Sequence, residues 1–152
     1  MMHDQYIRRE TLVSMTINGV LSLLFFLLVF GIAPSVAVWG IGNWVFDYLP
    51  QSFMITLMST LVPGALTAKR LKAGVLTPSG SASRLPRPLL LRALLMAVVA
   101  ALLGTTLVAA LAGAVGIVTL GWTSALVIKV LYGVALGAVV TPIGLRAALT
   151  NA

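Results

Sequence analysis

The chain has 152 residues, 60% of them hydrophobic and 9% charged, with a mean hydropathy of +1.09. A soluble domain carries about 25% charged residues, so this composition excludes a water-facing globular surface. The lack of cysteine excludes disulfides, thiolate metal sites and cysteine nucleophiles, and the net charge of +7 sits at the ends of apolar runs, without the interleaved aromatics that nucleic-acid binding would use.

In chain order, Arg8 and Arg9 precede a first span predicted over about 11–31 and stopped by Gly31 and Pro34. Ser35-Val36-Ala37 has the form of a small-x-small cleavage site. The apolar stretch before it is longer than the roughly 7–15 residues of a signal-peptide core, so it reads as a retained span with the arginines as its anchor. The outer segment 33–50 holds Trp39, Trp44, Phe46 and Tyr48. Aromatics at this density are expected at headgroup level, on a short interfacial stretch weakened as a helix by Gly40 and Gly42; a binding loop is the alternative. A second span is predicted over about 52–68, interrupted at Pro63-Gly64. A linker over 69–88, with Pro78, Gly80, Pro86 and Pro88, reads as a loop. A third, Ala- and Gly-rich span covers about 89–111. A short uncharged turn with Trp122 leads to a fourth over about 124–145.

The basic residues orient this pattern. Nine of the ten fall before span 1 (Arg8, Arg9), between spans 2 and 3 or at the start of span 3 (Lys69, Arg70, Lys72, Arg84, Arg87, Arg92), and at the end of span 4 (Arg146). The connections 32–51 and 112–123 carry none. By the positive-inside rule this predicts an all-α membrane protein of four transmembrane helices with both termini cytoplasmic, in a bacterial inner membrane. The single domain 1–152 would meet anionic headgroups on the cytoplasmic side, at roughly 1 kcal/mol per basic residue.

The halves 8–73 and 87–152 look alike. Pro63 and Pro142 are 79 positions apart, and Trp44 and Trp122 are 78 apart. Two spans per unit give both copies one orientation, so the fold is expected to be two parallel-repeat helix hairpins, unlike the inverted repeats of many transporters. MTINGVLSLL in the first helix and LMSTLVPGALTAKRL in the second carry a resemblance to small bacterial two-helix membrane proteins of a domain-of-unknown-function family. The shared features are a polar residue within the first helix, a late proline in the second and basic residues after it, over about 60 residues. The second half departs from them, with Ala97, Val98 and Val99 where the first has Asn18. The resemblance implies a membrane fold, here in tandem, and no particular activity.

Thr11, Ser14, Asn18 and Ser22 form one polar stripe on span 1, and Thr56, Ser59, Thr60, Pro63 and Thr67 form another on span 2. Facing each other, they would make either interhelical hydrogen bonds or a hydrophilic path. Pro63 and Pro142 free the carbonyls one turn earlier, at Ser59 and Ala138, which reads as a kink or as part of a site. Gly133, Gly137 and Thr141 on span 4, with Ala93, Ala97, Ala101 and Gly104 on span 3, are small residues that let backbones approach, between these two spans or between subunits. Lys129 is the only outer basic residue and Asp47 the only outer acid; they are expected to pair or to share a hydrated pocket.

The spans hold no cluster of titratable side chains, so no enzyme, cofactor or metal site is expected. Met15, Met54, Met58 and Met96 read as filler. Function is expected to be non-enzymatic and to work through helix–helix association, as a self-assembling or accessory subunit: a homo-oligomer or a membrane-protein partner. That reading predicts a Gly133/Gly137 face covered by another chain and a dry Asn18 stripe. The alternative is a small oligomeric transporter or channel, in which Asn18, Ser59 and Thr60 meet water.

Overall fold

A computed structural model describes residues 3–150; the last two residues of the second repeat half lie outside them. Four helices carry the chain: α1 (His3–Phe30), α2 (Tyr48–Lys72), α3 (Leu89–Val115) and α4 (Trp122–Thr150). Each is long and apolar enough to cross a membrane. Their outward faces are lined with exposed leucine and valine, from Leu12 and Leu28 on α1 to Leu102 and Leu103 on α3. In water that surface would be untenable; against lipid it is the expected one.

The helices overrun the predicted spans. Asp4 in the first turn of α1 favours its positive end, and the polar stretch through Glu10 continues the same helix. Both prolines lie inside unbroken helices, Pro63 in α2 and Pro142 in α4, so the interruption expected at Pro63-Gly64 is absent. Each proline still removes a backbone donor, and α2 and α4 continue as helix on both sides of it. The α3 helix stops at Gly116, whose φ of 73° is a left-handed cap that favours glycine.

Of the sequential helix pairs only α2 and α3 are main partners; α1 meets α2, and α3 meets α4, at few points. α4 packs between α1 and α2, and α2 packs between α4 and α3. Facing residues fix the directions: Ser14 meets Ser59 and Ser22 meets Gln51, so α1 and α2 run oppositely. Gly137 faces Asn18 and Gly133 faces Ser22, so α1 and α4 also run oppositely. The start of α1 and the end of α4 therefore lie at one end of the bundle, with the 73–88 connection. Nine of the ten basic residues gather there, and Lys129 does not.

At the opposite end, two strands absent from the sequence reading join the connections: β1 (Ser35–Ala37) and β2 (Thr119–Gly121), antiparallel with Val36 opposite Leu120. The bond from Val38 N–H to Val118 C=O (3.0 Å) extends the ribbon. Pairing satisfies backbone groups that an interfacial stretch would have left to water. Beneath it lies a cluster of Phe26, Val36, Val38, Trp44, Val45, Tyr48, Ala112 and Ala125. The aromatic belt expected at headgroup level is thus divided: Trp39 and Phe46 remain on the surface, whereas Trp44 and Tyr48 are core residues.

Candidate polar seam and outer cavity

Where α1, α2 and α4 meet, polar side chains replace the apolar core. Asn18, 2% exposed, donates from Nδ2 to Ser59 Oγ (2.9 Å) and to Ser14 Oγ (3.2 Å). Ser14 donates to Ser59 (3.2 Å) and accepts from Thr141 Oγ1 (2.7 Å). Four residues from three helices thus share one buried network. Low polarity around it strengthens each bond and penalises any missing one.

Glycine makes the approach feasible. A Cβ on Gly137 would stand 2.5 Å from Asn18 Nδ2, and one on Gly133 would overlap Ser22 Oγ. The expectation that this face is covered by another chain is corrected here: α1 of the same chain covers it. The reason is size, since only a glycine notch admits an Asn or Ser side chain between helices this close. The alanines of α3 likewise pack on α2, not on α4: Ala93 and Ala97 are fully buried and Ala101 nearly so. Gly104 alone faces α4, at the Tyr132 hydroxyl.

Not every residue of the span 2 stripe joins. Ser59 does. Thr60 instead turns toward α3, with its hydroxyl 3.9 Å from Met96 Sδ. Thr56 is fully buried with an unpartnered hydroxyl, and Pro63 lends only its carbonyl, to Thr67 Oγ1 (2.8 Å). Thr67 also meets the Tyr6 hydroxyl at 2.9 Å, near the charged end. Thr11 bonds back to the Ile7 carbonyl within α1 (2.7 Å) and takes no part.

One turn outward from Asn18, Ser22 accepts from Gln51 Nε2 (3.1 Å), which leads to the charged head of the seam. There Lys129, 1% exposed, donates to Asp47 Oδ2 and to Gln51 Oε1 (3.0 Å). Its ammonium lies 4.2 Å from the centre of the Tyr48 ring and 5.8 Å from that of Phe30, where the ring quadrupoles favour a cation. Gln51 is the residue that sequence reasoning missed. It looks like an ordinary polar residue at a helix start, and only the packing of α4 on α2 shows it bridging Lys129 to α1.

Because α1 and α2 are held apart by α4, a cavity of about 280 Å³ opens between them in the half of the bundle nearer the strand pair. Asp47, Gln51, Ser22 and Asn18 form its polar part; Leu21, Phe25, Met54 and Met58 are among its apolar walls. Lys129 stays behind Asp47 and does not line it, so the charge that the cavity presents is a carboxylate. Among the described residues no group of three His, Asp or Glu could hold a metal ion. Compared with family models, curated proteins and solved structures, the chain matches none.

Proposed function

We propose that this chain is a non-enzymatic integral membrane protein that binds and passes a small amphipathic solute through the seam between α1, α2 and α4. The observation that carries this reading is the cavity: Asp47, Gln51, Ser22 and Asn18 form its polar part, its sides are apolar, and it lies between two helices that meet only at a few side chains. A solute with an amine or other hydrogen-bond donor could compete with Lys129 for Asp47 while its apolar body lies against Phe25 and Met54. The buried charge pair is a further support, since ionisable groups inside spans mark pathways by default. Transport gains over association because the small-residue faces of α3 and α4 are occupied within the chain.

In this reading the two halves are tandem copies in one orientation. The pairings of α1 with α4 and of α3 with α2 exchange when the halves are interchanged, and β1 and β2 pair across the same axis. The charge-rich end faces the cytoplasm of a bacterial inner membrane. A reporter placed within 72–84 should then be cytoplasmic and one within 41–47 external; the reverse result would overturn the orientation.

Single cysteines test the path, because the chain has none of its own. A membrane-impermeant thiol reagent should label cysteines at Ser22, Asn18 and Ser59, and not at Leu24, which lies on the outward apolar face of α1. Folded protein that resists labelling throughout the seam would make it dry glue, and an association role would take the place of transport.

A further inference from the structure

At the charged end of the bundle, away from the seam, a second cleft of about 420 Å³ lies between the end of α2, the start of α3 and the linker. Its charged lining consists of Lys72, Arg87 and Arg92, and no acid lines it. Arg92 is the unusual member. It sits in the first turn of α3 and is 3% exposed, yet no acidic side chain among the described residues pairs with it. The one hydrogen bond of its side chain runs from Nη1 to the Pro86 carbonyl at a long 3.4 Å, and its Nε has no partner. The three acidic side chains do not answer it. Glu10 pairs with Arg70 (2.8 Å), Asp47 pairs with Lys129 at the far end, and Asp4 lies on α1, outside the cleft.

A buried cation without a counter-charge is strongly unfavourable, and a guanidinium with free donors is shaped for phosphate. The start of α3 adds to this. Its N-cap is Pro88, with no side-chain cap, so the first-turn N–H groups and the helix dipole favour an anion at that end. The remaining walls, Gly64, Leu89 and Ala148 among them, are apolar.

We infer that Arg92, Lys72 and Arg87 form a binding site for a phosphate group, presented by an anionic phospholipid headgroup or by a free phosphate compound. Arg92 holds the phosphate from within, Lys72 and Arg87 close over it from the rim, and the apolar wall accepts the carbon skeleton that a lipid or phosphorylated metabolite brings. The site is independent of the outer cavity.

The test uses the full chain, purified in a neutral detergent, with thermal unfolding read as phosphatidylglycerol, phosphatidylcholine or inorganic phosphate is titrated in. Stabilisation by phosphatidylglycerol beyond that by phosphatidylcholine assigns the site to a headgroup. Stabilisation by inorganic phosphate at least as great assigns it to a soluble phosphate compound. In either case Arg92→Gln should weaken the apparent affinity roughly tenfold or more, and the rim variant Lys72→Gln should weaken it less, which keeps the test open if Arg92→Gln does not fold. Arg84→Gln, outside the cleft, should leave it unchanged. Equal weakening by Arg84→Gln would reduce the effect to diffuse surface charge and overturn the site, as would the absence of stabilisation by both anions.

Discussion

The α1–α4 and α2–α3 contacts solve one packing problem in opposite ways. On α1 the residues at the contact are Ser14, Asn18 and Ser22, and α4 supplies the room as Gly133 and Gly137. On α3 the residues are Ala93, Ala97 and Ala101, and the only polar link recorded to α2 is the weak approach of Thr60 to Met96. Ser14, Asn18 and Ser22 stand 79 positions before Ala93, Ala97 and Ala101, the same interval as Pro63 and Pro142. Corresponding positions thus carry hydrogen-bonding groups in one half and methyl groups in the other. The first contact has one register, set by where an amide finds its partners. The second is smooth and relies on close approach alone. The cavity borders the first and not the second, so the polar contact is the one whose chemistry is available to a ligand.

Five single substitutions and one charge exchange probe this difference, and the largest effect is expected at the head of the polar contact. Asp47→Ala leaves Lys129 buried without its carboxylate and should lower stability by about 3–5 kcal/mol, the usual loss when one member of a buried pair is removed. Exchanging the two charges, Asp47→Lys with Lys129→Asp, should recover part of it. Thermal unfolding in detergent reads both, and an unchanged midpoint for Asp47→Ala would remove the ion pair from the account of stability.

Next comes the glycine notch. Gly137→Ala forces Asn18 out of position and should destabilise by about 1–3 kcal/mol, as overpacking does. The reciprocal change on the smooth contact, Ala97→Gly, should lose only about 1 kcal/mol through helix propensity. Similar losses for the two would mean that the contacts do not differ as described.

Asn18→Leu removes the amide at the centre of the network. The expected loss is about 0.6–2 kcal/mol, the range for hydrogen bonds between membrane helices, measured from the same unfolding curves. The smallest effect belongs to Thr60→Val, within about 0.5 kcal/mol, because its hydroxyl meets only sulfur. A loss at Thr60 as large as that at Asn18 would make the α2–α3 contact polar in substance and erase the contrast.

Much of this was legible in the residues. Helices long enough to span follow from composition and apolar run length, and the stripes of Ser14, Asn18 and Ser59 follow from helical spacing. The pairing of helices was not legible, because a spacing of small residues names a face and not its partner; Gly133 and Gly137 pack on α1 although α3 is nearer in sequence. The strands escaped notice since three residues each of Ser-Val-Ala and Thr-Leu-Gly carry no periodicity. Trp44 and Tyr48 misled because a buried aromatic cluster and a headgroup belt have the same composition. Arg92 was counted among the topology charges, and its isolation emerges only when the two carboxylates on α1 and the one at Asp47 are seen to lie elsewhere.

The tryptophans give the two-stranded ribbon a mechanical meaning. Trp39 Nε1 donates to the Ile117 carbonyl (2.8 Å), Trp44 Nε1 to Ala125 (3.2 Å), and Trp122 Nε1 to Gly31 (2.6 Å). Each indole reaches from one half of the chain into the other, and the strand pair stitches the same two connections. These fastenings all lie at one end, like the rivet of a pair of scissors, and the blades are the helices. Splaying at the riveted end would break several hydrogen bonds together, whereas at the opposite end the described residues hold the halves mainly by apolar packing of Tyr6, Ile7, Leu145 and Leu149, with one backbone bond from Ser79 N–H to the Leu149 carbonyl (2.9 Å). Rocking of the two halves is therefore expected to widen the charged end and to leave the ribbon end closed.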